Sequence, residues 1–179
     1  MTFEEASQAC GIVAILRGIK PSEVVAVGEA LHDAGIRIVE VPLNSPDPFV
    51  SIAALADRFK DRLVTGAGTV LDVASVGSLK ASGGAICVSP DCNPEVIARA
   101  VELGLTPLPG VFTPTEAFAA IRAGASQLKL FPAEAASPST VKAWKAVLPS
   151  QVKIHAVGGI TPDNMQGWSD AGCAGFGIG

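Results

Sequence analysis

Short apolar runs alternate with longer helix-period segments along all 179 residues, and this alternation predicts an α/β fold, a (β/α)8 TIM barrel. Two further observations favour that class. About eight strand-like runs follow one another without a long break, so one domain covering residues 1–179 is expected, with a short N-terminal helix. The turn after the first strand reads Leu16-Arg17-Gly18-Ile19-Lys20 and lacks the Gly-rich fingerprint of a doubly wound sheet.

Taken in order, Glu4 and Glu5 belong to a short helix expected to cover the barrel bottom. Ile12–Leu16 is the first strand, and Pro21 opens a helix that Gly35 ends. Residues 36–41 form a strand, followed by a helix over 48–59 and a strand over 63–67. Asp72 caps a helix reaching Ser82. The strand 85–89 precedes a helix from Pro94, and Leu105-Thr106-Pro107-Leu108 is assigned as a strand from its place in the rhythm, against its propensity. Pro114 opens the next helix, residues 126–131 are a strand, a helix runs over 138–147, and 152–157 is another strand. Pro162 is expected to open the last helix. Residues 174–179 read as the start of an eighth strand, so the barrel is expected to be truncated within or just after it.

Composition narrows the function. Apolar residues make up 49% and charged residues 17%, which indicates a well-buried core. A net charge of −4 gives no basic footprint for nucleic acid or an anionic membrane. No apolar run has the length of a membrane span, and the first residues carry acids where a signal peptide carries bases; a cytoplasmic protein is expected. Cys10, Cys87, Cys92 and Cys173 form no C-x-x-C pair and the only histidines are His32 and His155, so no metal site is expected. Cys87 is expected in the core, His32 on a solvent-facing helix surface, and His155 as a hydrogen-bonded strand residue. Trp144 and Trp168 are expected to pack helices.

The most informative stretch is Ser126-Gln127-Leu128-Lys129-Leu130-Phe131-Pro132-Ala133-Glu134. Lys129 lies between leucines with no acid within four residues, and desolvating an ammonium is costly. It is either a lysine whose head snorkels to water or one whose pKa is driven down for attack on a carbonyl. In a barrel, catalytic groups sit at the carboxyl ends of the strands. Arg17, Glu40, Thr69, Ser89, Lys129 and Gly158-Gly159 all fall there and converge on one point, which favours the reactive lysine.

Period-two alternation turns Glu40 into the barrel with Ile38, where it can exchange protons with Lys129 chemistry. Lys153 is the rival lysine, but it starts its strand. Gly158-Gly159, ahead of a helix at Pro162, suits the close approach of a phosphate. Arg17 offers a fork for a carboxylate or phosphate, or else a surface ion pair. Glu134 either stabilises its turn or faces the pocket.

These motifs resemble the bacterial 2-keto-3-deoxy-6-phosphogluconate/galactonate aldolases, of the KDPG/KHG aldolase family, from about Gly11 to Gly179. The likeness is carried by Ile15-Leu16-Arg17, Glu40-Val41, Gly66-Ala67-Gly68-Thr69-Val70, Ser89-Pro90, Pro109-Gly110, Lys129 to Glu134 and Gly158-Gly159-Ile160. The resemblance implies a class I aldolase on a (β/α)8 barrel, with Lys129 as Schiff-base lysine and Glu40 as general acid/base. It further implies Arg17 and Thr69 as substrate-binding residues and Gly158-Gly159 as phosphate-contacting backbone. No cofactor is implied, and a homotrimer is.

The phosphogluconate branch carries Leu-Arg-Thr where this chain has Leu43-Asn44-Ser45, and a threonine where it has Val157. Both departures look like the phosphogalactonate branch, with Val157 as a substrate-contacting residue. The implied reaction is cleavage of 2-dehydro-3-deoxy-6-phosphogalactonate to pyruvate and glyceraldehyde 3-phosphate. Its alternatives are the gluconate epimer or both epimers and, more distantly, a phosphosugar isomerase, epimerase or non-catalytic binding barrel. The family usually has a serine after the eighth strand that helps hold phosphate, and this sequence ends before that position.

Overall fold

The computed structural model describes residues 1–179. Helix α1 (Phe3–Ala9), held by a capping box between Thr2 and Glu5, precedes β1 (Ile12–Ile15). Alternation then runs through α2 (Pro21–Asp33), β2 (Ile38–Pro42), α3 (Pro48–Phe59), β3 (Val64–Gly68), α4 (Val73–Ala81) and β4 (Ile86–Val88). After α5 (Pro94–Glu102) come β5 (Thr106–Leu108), β6 (Gly110–Val111), α6 (Pro114–Arg122) and β7 (Gln127–Leu130). The chain continues with α7 (Pro138–Lys145), β8 (Lys153–Val157), α8 (Met165–Ala171) and β9 (Gly175–Ile178). Proline begins α2, α3, α5, α6 and α7, where its missing N–H costs no hydrogen bond. Asp72 accepts from the Ser75 N–H as expected. No helix is long and apolar enough to cross a membrane.

All strand pairs are parallel, in the order β5-β4-β3-β2-β1-β9-β8-β7-β6. The two outermost strands in that order, β5 and β6, are separated in sequence only by Pro109. The first half of segment 106–111 bonds to β4 and the second half to β7, because Leu108 O accepts from Ser89 N (3.1 Å) and Pro109 O from Lys129 N (2.9 Å). The ends of the sheet are thereby drawn into a nearly closed barrel of nine strand segments. The expected strand at 105–108 therefore exists, but it is short and continues past a proline that cannot donate.

Alternation sorts the strand side chains into layers. Val13, Ile38, Val64, Ile86, Val88 and Leu108 fill the barrel interior, closed at the bottom by Phe3 and Ala6 of α1. The intervening residues, among them Val39, Val41, Cys87, Leu128 and Leu130, pack outward against the helices in two larger clusters. Trp144 and Trp168 join the second of these layers, as expected of helix-packing residues.

Two expectations are corrected. The last helix begins at Met165 instead of Pro162, because Asn164 holds the preceding turn: its Oδ1 accepts from Thr161 N (3.0 Å) and its Nδ2 donates to Gly159 O (2.8 Å). His32 does not face solvent freely; it is half-buried with its ring 6.2 Å from that of Phe59.

His155 is fully buried in the lower interior, with Nε2 2.9 Å from Gln127 Oε1 and its ring edge-on to Phe3. Burial pushes its pKa down to about 4. Unfolded chains take up that proton near pH 6.5, so the stability due to neutral His155 is complete above that pH and lost as pH falls toward 4. The stability difference between wild type and His155→Gln should shrink by roughly 3 kcal/mol between pH 7 and pH 4. Urea unfolding across that range measures it, and a constant difference would refute the assignment.

Candidate active site

Lys129 sits in the middle of β7, where Leu128 and Leu130 face the helix layer and alternation sends the lysine inward. It is only 7% exposed. Glu40, in the middle of β2, is 3% exposed and also points inward. Register places Glu40 beside Ile15 of β1 and Gly66 of β3, and Lys129 between Gly110 of β6 and His155 of β8. The two titratable groups thus approach one cavity from different sides of the barrel.

That cavity, of about 440 Å³, is lined by Arg17, Glu40, Thr69, Lys129, Val157, Gly158 and Gly159, together with Ile15, Pro90, Phe131, Ile160 and the β9 end. Of the residues that the sequence placed at the site, all but Ser89 are in its wall. Ser89 is buried outside the cavity, and its neighbour Pro90 takes the place at the rim. Glu134 is exposed on a turn of 3-10 helix and does not line the cavity. Lys153 is exposed at the start of β8, at the other end of the barrel.

The local backbone explains how these side chains fit. A methyl group added at Gly68 would overlap the Glu40 carboxylate, so glycine there makes room for the acid. Thr69, the next residue, has φ +58°, a left-handed conformation that non-glycine residues seldom adopt outside constrained sites. At the opposite wall Gly158 (φ +103°) and Gly159 (φ +65°) turn the chain after β8 and expose backbone to the cavity.

The electrostatics follow from burial without pairing. The molecule's four ion pairs include neither Lys129, Glu40 nor Arg17, and buried Oε2 of Glu40 has no hydrogen-bond partner. Desolvation therefore pushes the Glu40 carboxyl up to about 7, although the Lys129 and Arg17 charges pull it down. Desolvation likewise depresses the Lys129 pKa; the Glu40 charge opposes that effect and the Arg17 charge adds to it. The Lys129 Nζ lies 4.5 Å from the centroid of the Phe131 ring, an attraction between cation and π face that holds the amine in place. Phe131 was not assigned to the site from sequence, although its position two residues beyond Lys129 puts it on the same face.

An amine whose pKa burial lowers, set across a cavity from a carboxyl that burial raises to about 7, is equipped for imine chemistry with proton exchange. The KDPG and KHG aldolase profile matches residues 3–178. The chain belongs to the KDPG and KHG aldolase family. It is 51% identical over 168 residues to the 2-dehydro-3-deoxy-6-phosphogalactonate aldolase of Escherichia coli K12, covering 94% of this chain and 82% of that one. A solved structure described as native KDPGal superposes with a TM-score of 0.92 at 50% identity, covering 94% of this chain and 82% of that one. The KDPG aldolase of Legionella pneumophila, solved with pyruvate captured as a covalent carbinolamine, gives a TM-score of 0.88 at 26% identity, covering 96% and 84%. The protein is accordingly an aldolase, a carbon–carbon lyase.

The coupling of the three charges is testable through Lys129 alone. Removing the negative charge of Glu40 takes away what keeps the lysine protonated, so the pH at which Lys129 reacts half-maximally with trinitrobenzenesulfonate should fall in Glu40→Gln. Removing the positive charge in Arg17→Met should raise it. Peptide-mapped labelling rates measure both shifts, and displacement in the same direction would contradict the scheme.

Proposed function

We propose that this aldolase is a class I enzyme cleaving 2-dehydro-3-deoxy-6-phosphogalactonate to pyruvate and glyceraldehyde 3-phosphate. The observation that carries the mechanism is the buried, unpaired Lys129 sharing one cavity with Glu40. Neutral Lys129 attacks the C2 ketone to form a carbinolamine. Glu40, whose carboxyl burial raises to about 7, donates a proton from its acid form to the departing hydroxyl, leaving water and an iminium. The C3–C4 bond then breaks, its electron pair flowing into the iminium as an enamine forms, while Glu40 carboxylate accepts the C4 hydroxyl proton and the aldehyde leaves. Glu40 returns that proton to C3, and water hydrolyses the resulting iminium to pyruvate and free Lys129. The carbinolamine in the Legionella relative supports the first step.

In this reading Arg17 and Thr69, on the side of β1 and β3, bind the substrate carboxylate. The turn at Gly158 and Gly159 receives the phosphate through backbone N–H groups. Because segments 106–108 and 110–111 meet at Pro109, we count them as one strand bent around the proline, giving a single (β/α)8 barrel domain. The same reading takes the protein as cytoplasmic and, by likeness to its family, homotrimeric.

The galactonate epimer is favoured by Val157, an apolar side chain in the cavity wall with nothing to offer a sugar hydroxyl. The 51% identity to the phosphogalactonate enzyme, against 31% to the 2-dehydro-3-deoxy-phosphogluconate aldolase of Treponema pallidum, points the same way. Val157→Thr restores a hydrogen-bonding group, so the ratio of kcat/KM for the gluconate over the galactonate epimer should rise about tenfold. An unchanged ratio would remove Val157 from epimer selection.

Borohydride added with pyruvate should fix a stable secondary amine on Lys129, read by peptide mass mapping. Lys129→Met should take no label. A label on Lys153, or none on the wild type, would overturn the mechanism.

A further inference from the structure

Arg17 is exposed in the loop after β1, and its guanidinium has one side-chain partner, the also exposed Asn44: Nη1 donates to Asn44 Oδ1 at 2.7 Å, across 27 residues of sequence. The next residue makes a parallel contact, Gly18 N donating to the Oγ of buried Ser45 at 2.9 Å. Two successive residues of the β1–α2 loop are thus bonded to two successive residues of the β2–α3 loop, the loop that follows Glu40. The partner chosen for Arg17 is a neutral amide. An aspartate in its place would hold the side chain equally well but cancel its charge, whereas asparagine holds it and leaves the full charge for an anion. Arg17 is in none of the molecule's ion pairs, so that charge is unspent.

We propose that Asn44 is a positioning residue that holds the Arg17 guanidinium at the cavity wall to receive the carboxylate of the pyruvyl half of the substrate. The proposal rests on the Schiff-base reading given above. Three observations select the carboxylate over the phosphate. Arg17 extends from β1, whose Ile15 is in register with Glu40, so its loop borders the acid/base end of the cavity. Its charge is felt at both Glu40 and Lys129, the groups next to the ketone carbon that bears the carboxylate. The glycine turn suited to the phosphate is two strands away, after β8. An exposed arginine left free would lose rotamer freedom on gripping an anion; fixing it beforehand converts that loss into affinity.

The test is borohydride trapping across a pyruvate concentration series. In Asn44→Ala the half-saturating pyruvate concentration should rise about tenfold, with the maximal trapping rate and the unfolding midpoint unchanged. Because Asn44 acts through Arg17, adding Asn44→Ala to Arg17→Met should raise the half-saturating concentration no further than Arg17→Met alone. A wild-type half-saturation in Asn44→Ala, or effects of the two changes that multiply, would overturn the proposal while leaving the lysine chemistry standing. Absence of any label on the wild type would overturn both.

Discussion

The constraint on which the rest of the structure depends is that an amine and a carboxyl are buried at the same end of one barrel without neutralising each other. Paired at hydrogen-bond distance, Lys129 and Glu40 would stabilise each other's charged forms and keep the lysine protonated. Apart but buried, each is driven toward neutrality by desolvation, the amine downward and the acid up to about 7. The barrel makes that arrangement possible because its parallel strands deliver side chains to a common level from opposite walls. Leu128, Leu130, Val39 and Val41 anchor the two strands in the helix layers, so the backbone positions from which the two polar groups extend are set by packing.

Such a site costs stability. An ionised Glu40 with an unsatisfied buried oxygen is a group that an unfolded chain would solvate. The surrounding structure offsets this with the apolar interior of Val13, Ile38, Val64, Ile86, Val88 and Leu108, covered from below by α1. The interior is therefore divided by height. Its lower part is apolar, apart from the hydrogen bond between His155 Nε2 and Gln127 Oε1, and its upper part carries the charges.

Much of this was legible in the sequence, and for a physical reason. Strand alternation has a period of two and helix amphipathicity one of 3.6, so the interior positions of Lys129 and Glu40 follow from counting. That they face one cavity follows from the regular length of the βα repeat. What could not be counted was where the backbone departs from that regularity. Beyond the strand expected at 105–108, Pro109 leads into a second segment, 110–111, that serves a different neighbour. Asn164 folds its side chain back onto Gly159 and delays the last helix by three residues. His32 turns onto Phe59 because α2 packs against α3, a tertiary fact that no local pattern carries. The link between Arg17 and Asn44 joins two loops 27 residues apart, and only the closed barrel brings them together.

These departures are not spread evenly along the chain. Thr69 with its positive φ, the Gly158-Gly159 turn held by Asn164 and the loop pair bonded through Asn44 and Ser45 all lie at the carboxyl ends of the strands. The lower end, by contrast, is a capped helix over an apolar interior and reads almost directly from pattern. Regular repeats are enough to build a barrel, because each strand needs only one apolar face toward each layer. A reactive site needs more: an arginine fixed but unneutralised, a carboxyl given room by a missing side chain, and exposed backbone at a glycine turn. Each requirement breaks local regularity. The places where counting fails at the upper rim are therefore largely the places where this barrel is specialised for its chemistry.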